Sequence, residues 1–294
     1  MKKPLAISIV VLNWNTSDLL NGALTSIVST ADDMDFEVVV IDNASTDGGL
    51  DRVDQKFKND PRFSFVQNEK NIGWAAINIM LERAQAAYIV TLDPDALLHA
   101  GALQELRAFM ESNPQAGAAT AKLLNPDGTP QLYYRRILTP AMYFFTTPLG
   151  RFIDKYLLGL RQWKRYRYED LDVNRTAEVE QPAWPCLLWR REALGAYIAD
   201  TDIPFYFVDV DMSKRLYDRG YKIYMVPSAA VTHLKSTSFG KAQDAWRRRE
   251  YYRSLLVYFR KHYARWTPLL RLLISFDRML RAVALRIMGR EMVR

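Results

Sequence analysis

Four short runs of β-branched and aliphatic residues, at 6–12, 36–41, 63–67 and 87–92, punctuate the first 125 residues, and a longer stretch with apolar positions three and four apart follows each. That alternation is the pattern of βαβ units, and it predicts an α/β chain with a mostly parallel sheet flanked by helices. The helices are expected over 18–29, 46–57, 74–84 and 101–112. Farther on, 187–189 reads as a strand entering a helix at 190–199, 208–218 as a short helix and 222–226 as a strand. The stretch 125–181 is rich in Tyr, Arg, Trp and Pro and reads as a partly helical insertion facing a substrate.

An open parallel sheet binds ligands beyond the carboxyl ends of its strands. The segments at those positions are Asn13-Trp14-Asn15-Thr16, Asp42-Asn43-Ala44-Ser45-Thr46-Asp47-Gly48, Asn68-Glu69-Lys70-Asn71-Ile72-Gly73 and Asp93-Pro94-Asp95. Any one of these loops is explained by caps and turns, which favour the same residue types. Four on one sheet edge point to a polar ligand. No G-x-G-x-x-G follows a strand and no G-x-x-x-x-G-K-[ST] occurs, so dinucleotide and P-loop readings lose their main support.

Composition narrows the class. With 294 residues, 49% hydrophobic, the chain can bury a sizeable core. The single cysteine, Cys186, leaves no internal disulfide framework or multi-cysteine zinc site, so a reducing compartment is expected. The apolar run near the start is short, β-branched and without a small-residue cleavage site, and it reads as a first strand rather than a signal peptide. The net charge of +7 is concentrated in residues 246–294, which carry a local +10, while residues 1–245 sum to −3. No nucleic-acid partner is therefore expected for the body, whereas the end of the chain could meet an anionic surface.

Two acidic clusters carry candidate chemistry. Asp93-Pro94-Asp95 closes an apolar strand, where paired carboxylates can hold a hard divalent cation against a diphosphate. In Phe205-Tyr206-Phe207-Val208-Asp209-Val210-Asp211, carboxylates beside aromatic residues can be desolvated enough to act as a general base near neutral pH. Helix capping explains either cluster equally simply.

The motifs taken together resemble the family 2 glycosyltransferases of GT-A fold, and among them the rhamnosyltransferase-like members that build bacterial surface polysaccharides. The matching segments are Val10-Val11-Leu12-Asn13-Trp14-Asn15, Val40-Ile41-Asp42-Asn43-Ala44-Ser45-Thr46-Asp47-Gly48, Asn68-Glu69-Lys70-Asn71-Ile72-Gly73-Trp74-Ala75, Leu92-Asp93-Pro94-Asp95-Ala96, Leu123-Leu124-Asn125-Pro126-Asp127-Gly128, Leu188-Trp189-Arg190-Arg191-Glu192-Ala193, Phe207-Val208-Asp209-Val210-Asp211 and Val231-Thr232-His233. They span roughly residues 5–240. The resemblance implies a Rossmann-like GT-A domain over 1–240, divided into a nucleotide-sugar half, 1–125, and an acceptor half, 126–240. It also implies that Asp42 contacts the base or ribose, that Asn13, Asn15, Asn71 and Gly73 line the nucleoside pocket, and that Asp93 and Asp95 hold Mn2+ or Mg2+ with His233 completing the coordination. Asp209 is implied as the base of a single inverting displacement, with dTDP-L-rhamnose as the donor suggested by the subgroup and a saccharide or lipid-linked glycan as acceptor.

Three positions depart from the family. Val208 stands where it has Glu, Ala183-Trp184-Pro185 where it has Ser-Gly-Ala, and Asp93 where it has Asn before Pro-Asp. A nucleotide-sugar pyrophosphorylase is the alternative enzyme, but its glycine-rich basic loop after the first strand is missing at Asn13-Trp14-Asn15. A non-catalytic nucleotide-sugar or glycan-binding protein is the other alternative, and the retained Asp93, Asp95, Asp209 and His233 speak against it.

Residues 241–294 read as a basic helical tail. In it Trp266, Leu269, Leu270, Leu273, Phe276, Leu280, Val283 and Ile287 follow helical spacing, with Arg271, Arg278, Arg281, Arg286 and Arg290 gathered opposite. Arginines interrupt every candidate span of about 20 apolar residues. Two readings stay open: docking on an anionic membrane surface, with the protein cytoplasmic and peripheral on the inner face, or packing on the protein's own body or in a homo-oligomer.

Overall fold

A computed structural model describes residues 5–31, 34–182, 184–235 and 244–288. Strands β1 (Ile7–Asn13), β2 (Phe36–Asp42), β3 (Phe63–Gln67) and β4 (Tyr88–Leu92) pair in parallel in the order β3-β2-β1-β4. The sheet then becomes mixed. The later strands are β5 (Ala96–Leu98), β6 (Ala116–Leu124), β7 (Ala177–Glu178), β8 (Cys186–Arg190) and β9 (Lys222–His233). β8 lies antiparallel between β4 and β6, β9 runs parallel to β6, and β5 and β7 pair antiparallel with β9.

Helices cover both faces, which is why β1 and β2 are almost continuously buried. Alternation sorts their side chains: Ile7, Ile9, Val11, Val38 and Val40 join one core, while Val10, Val39 and Ile41 join the other. The first core is closed by α1 (Ser17–Thr30) through Leu20, Leu24 and Ile27, and by α2 (Ala102–Ser112) through Leu103, Leu106 and Met110. The second is closed by α3 (Val208–Asp218), α4 (Asp244–His262) and the start of α5 (Thr267–Met288).

Part of the tail is thus built into the body. Leu255, Tyr258 and Phe259 of α4 are fully buried, the Tyr258 hydroxyl donates to the Leu138 carbonyl at 3.1 Å, and Leu270 and Ile274 of α5 are buried behind them. The proposed boundary at 240/241 and the side chains of Leu280, Val283 and Ile287 lie outside the described residues. No helix among the described residues is long and apolar enough to cross a membrane.

Several elements differ from their sequence expectation for local reasons. The helix expected at 46–57 is replaced by two short turns, Gly49–Arg52 and Gln55–Lys58: Gly48 and Gly49 take positive φ at the start of the first, and extended backbone at Val53 and Asp54 parts it from the second. The helix expected at 190–199 ends at Leu194, where Gly195 turns the chain. Beyond it the backbone is satisfied by side chains instead: Arg215 donates to the Tyr197 and Ile198 carbonyls, and the Asn78 carbonyl accepts from the Ile198 and Ala199 N–H groups. The strand expected at 222–226 continues to His233 with a register break around Pro227, a residue that cannot donate to a ladder.

Candidate active site

Each strand of the parallel half delivers its last residue to one edge. Asn13 and Asp42 face each other in register, and Gln67 lies opposite Asp42. The Asp42 carboxylate is fully buried and accepts from Asn13 Nδ2 at 2.7 Å, Gln67 Nε2 at 2.6 Å and the Ser45 N–H at 3.0 Å. Asn13 is also fully buried, and it accepts from the Thr16 hydroxyl at 2.8 Å. The Asn15 side chain receives the Thr46 N–H at 2.7 Å. Asn13, Asn15 and Asp42, expected to touch the nucleoside, are thus tied together with Ser45 and Thr46 as a frame at this edge. α1 is capped from this frame: Asp47 accepts from the Ser17 N–H at 3.0 Å and the Ser17 hydroxyl at 2.8 Å, an interaction type that stabilises a helix by about 1 kcal/mol.

A cavity of about 170 Å³ opens beside the frame. Leu12, Trp14 and Thr16 line it from the first loop, Asn43 from the second, and Asn71, Gly73 and Trp74 from the third. Asn43 fixes that third loop by donating to Asn71 Oδ1 at 2.8 Å and the Gly73 carbonyl at 3.1 Å. Gly73 has φ +66°, and a Cβ there would sit 2.1 Å from the Pro204 carbonyl oxygen, so only glycine fits. Phe205 closes the far side. Asn71 and Gly73 line this cavity, and so does Trp14 of the Asn13–Asn15 loop that was expected to line the nucleoside pocket. Asn43, Trp74 and Phe205 line it as well and were not named as lining residues from the sequence.

Asp93, Pro94, Asp95 and His233 line the same cavity. β5 doubles back from Asp95 and pairs with β9, setting Ala96 opposite His233. One ligand atom from each of Asp93, Asp95 and His233 lies within 4.8 Å of the others, and His233 Nε2 is 3.5 Å from Asp95 Oδ2. Gln131, a buried residue, orients the imidazole. Its Nε2 donates to the Leu124 and His233 carbonyls at 3.1 and 2.8 Å, which turns its Oε1 toward His233 Nδ1 at 2.9 Å. In the neutral ring this contact puts the proton on Nδ1, which leaves the lone pair of Nε2 toward the carboxylates.

Burial first, and the neighbouring Asp95 next, push the Asp93 carboxyl up to about 7, with His233 acting in the opposite direction. Two carboxylates and an imidazole nitrogen converging at this spacing form a donor set suited to a divalent cation such as Mn2+ or Mg2+, whose charge would relieve the repulsion between the acids.

The second acidic cluster separates in space. Asp209, in the first turn of α3, is partly buried, and its Oδ2 accepts from Gln181 Nε2 at 2.6 Å. Burial raises its pKa, against the lowering effect of that hydrogen bond. Gln181 is held in turn by a two-way backbone bridge to Arg135. Asp209 does not line the cavity itself but follows Phe205, which does. Asp211 is 1% exposed and accepts from Arg215 Nε at 2.9 Å, with Lys261 Nζ and His262 Nε2 each 2.7 Å from its Oδ1. Despite the opposing cost of burial, these contacts hold its pKa down at about 2. Val208 is buried in the apolar core.

Residues 8–195 match the family described as glycosyl transferase family 2. An N-acetylglucosaminyl-diphospho-decaprenol L-rhamnosyltransferase of Mycobacterium tuberculosis is 27% identical over 247 residues, covering 79% of this chain and 77% of its own length. A Bacillus subtilis protein described as a teichuronic acid biosynthesis glycosyltransferase is 34% identical over 130 residues, 44% of this chain and about half, 51%, of its own length. In structure, a mannosyltransferase of Pyrobaculum calidifontis, solved with GDP-Man and Mn2+, superposes with a TM-score of 0.55 at 20% identity over 88% of this chain and 64% of its own.

Proposed function

The chain belongs to glycosyl transferase family 2 and has the GT-A fold, and from that premise we propose that it moves a sugar from a nucleotide-diphosphate sugar to a hydroxyl of a saccharide or lipid-linked glycan, with inversion at the anomeric carbon. The observation that carries this reading is the convergence of Asp93, Asp95 and His233 in the cavity at the strand-end edge. A divalent cation held by these three residues would offset the charge that develops on the departing nucleoside diphosphate.

The protein's own part in the reaction is to position and to move one proton. Asn43, Asn71 and the aromatic residues Trp14 and Trp74 line the space for the donor. The Asp209 carboxylate takes the proton of the acceptor hydroxyl as its oxygen bonds to the anomeric carbon and the bond from that carbon to the diphosphate oxygen breaks. Its raised pKa suits that work near neutral pH, and Gln181 fixes its orientation. The attack comes from the face opposite the leaving group, so configuration inverts without a general acid.

The likeness to an L-rhamnosyltransferase over most of this chain makes dTDP-L-rhamnose the first donor to try and a polyprenyl-diphosphate-linked sugar the first acceptor. A cell-surface polysaccharide pathway and a place at the inner membrane face fit that substrate. The test is calorimetric titration of nucleotide sugars with and without Mn2+ or Mg2+, on the parent and on Asp95→Ala. Metal-dependent binding that vanishes in the variant supports the reading, and equal nucleotide affinity in both proteins overturns it.

A further inference from the structure

Six large apolar side chains stand in water between residues 149 and 160: Leu149, Phe152, Tyr156, Leu157, Leu158 and Leu160, with Leu157 72% and Tyr156 61% exposed. Such a cluster on one short segment is not ordinary surface, because scattered single apolar residues are normal and contiguous ones mark a contact. Its base is firmly built. The helix Pro148–Ile153 lies so close to the helix Pro140–Thr146 that a Cβ on Gly150 would come 2.0 Å from the Phe144 carbonyl oxygen. A π turn, Asp154–Leu158, carries the chain out to the tip, and the Gly159 N–H returns to the Asp154 carbonyl at 2.7 Å. Buried Asp154 accepts the Gln162 N–H at 2.6 Å and closes the loop from below.

Charge identifies the occupant. Arg151, Lys155, Arg161 and Arg165 are exposed around the apolar tip and make no ion pair among the described residues, and the one acid between 148 and 168, Asp154, is turned inward. A second copy of the chain docking on the same patch would set these cations against each other. An anionic bilayer meets both needs at once, since its phosphates pair with the basic rim while its acyl boundary takes the apolar tip.

We propose that residues 149–165 form a membrane-docking wedge that seats in the headgroup and acyl boundary of an anionic bilayer. It is a different segment from α5, where Leu269, Leu272 and Phe276 are also uncovered, and it goes beyond the transfer reaction without depending on it.

The test uses the full chain, without nucleotide or metal, so its outcome is independent of the transferase reading. Co-sedimentation is measured with vesicles of phosphatidylcholine alone and of phosphatidylcholine mixed with phosphatidylglycerol, across a salt series. Binding is expected only with the anionic lipid, weakening as salt rises. Phe152→Ser with Leu157→Ser should cut the partition coefficient about tenfold or more by removing inserted apolar area. Lys155→Gln with Arg165→Gln should cut it roughly tenfold and flatten the salt dependence. Both pairs are surface changes, and unaltered melting curves verify the fold. If either pair melts early, the other carries the comparison. The proposal fails if the parent does not sediment with anionic vesicles at low salt. It also fails if the serine pair binds like the parent, or if sedimentation velocity shows a dimer that the serine pair dissolves and vesicles do not displace.

Discussion

Two pairs of aspartates with one residue between them meet opposite fates in this fold. Asp93 and Asp95 sit in a loop after β4, and both reach one point, where His233 joins them. Asp209 and Asp211 sit in the first turn of a helix, where residues two apart point about 200° apart around the axis. Asp211 is thereby turned into α4 and clamped by Arg215, Lys261 and His262, while Asp209 is left with Gln181. The same spacing brings two carboxylates to one point in one backbone and parts them in the other: one carboxylate is left with a single side-chain amide partner, and its neighbour is spent on holding α3 to α4.

The division at the second pair can be broken at either member. Replacing Asp209 by Asn keeps shape and removes the proton acceptor, so transfer should fall on the order of 1,000-fold while metal-dependent nucleotide binding persists. Turnover close to the parent's on a verified acceptor would remove Asp209 from the chemistry. Asp211→Ala should do the converse. It strands cations packed against a buried site, and stability should drop by about 3 kcal/mol in urea unfolding, with metal-dependent nucleotide binding retained by the folded fraction. A loss under about 0.5 kcal/mol would mean that the clamp contributes little.

The first pair is sharpened through Gln131. If this amide sets the proton on His233 Nδ1, Gln131→Ala should leave the fold intact and lower Mn2+ affinity by about 10-fold to 100-fold, the usual cost of losing an outer partner of a metal ligand. Nitrogen chemical shifts of the His233 ring in the metal-free protein provide a second readout: a single Nδ1–H tautomer in the parent and a mixture in the variant. An unchanged tautomer ratio would show that another group orients the ring.

How far all this was legible in the sequence follows the same division. β3 and α3 lie where periodicity placed them, and β1, β2 and β4 do within a residue at each end, because runs buried on both faces announce themselves by composition. β6 was not read at all: Ala116-Gly117-Ala118-Ala119-Thr120-Ala121 has little intrinsic strand preference and is a strand because β8 and β9 enclose it. The juxtaposition of Asp93, Asp95 and His233 was reachable by resemblance and not by spacing, since it depends on β5 folding back against the end of β9. Asp42 shows the limit from the other side. A motif identified the residue, but only the structure shows the three simultaneous hydrogen bonds that hold its carboxylate in place. For the tail, amphipathicity gave a helix and left its partner open: Leu270 and Ile274 are buried against the body, whereas Leu269 and Phe276 of the same helix, and Trp266 just before it, stay exposed.

Acidity separates the two pairs at opposite ends of the pH scale, and this gives the smallest expected effect. The Asp93 carboxyl is raised to about 7, so below that pH the folded protein holds a proton on one of the three groups proposed to hold the metal ion. A metal ion must displace that proton. Mn2+ affinity should therefore climb by up to about tenfold per unit as pH rises toward 7 and level off above it, and Asp93→Asn should flatten the climb. Asp211 behaves with the opposite sign. Its folded pKa, lowered to about 2, contributes stability that is fully present above the ordinary carboxylate value and is lost as pH falls through the interval from about 4 to about 2. Titrating Mn2+ affinity between pH 6 and 8, roughly one unit to either side of the Asp93 value, should thus leave the melting contribution of Asp211 untouched. An affinity that is flat across neutral pH would mean that Asp93 is already ionised in the metal-free protein, and the contrast between the two aspartate pairs would then rest on geometry alone.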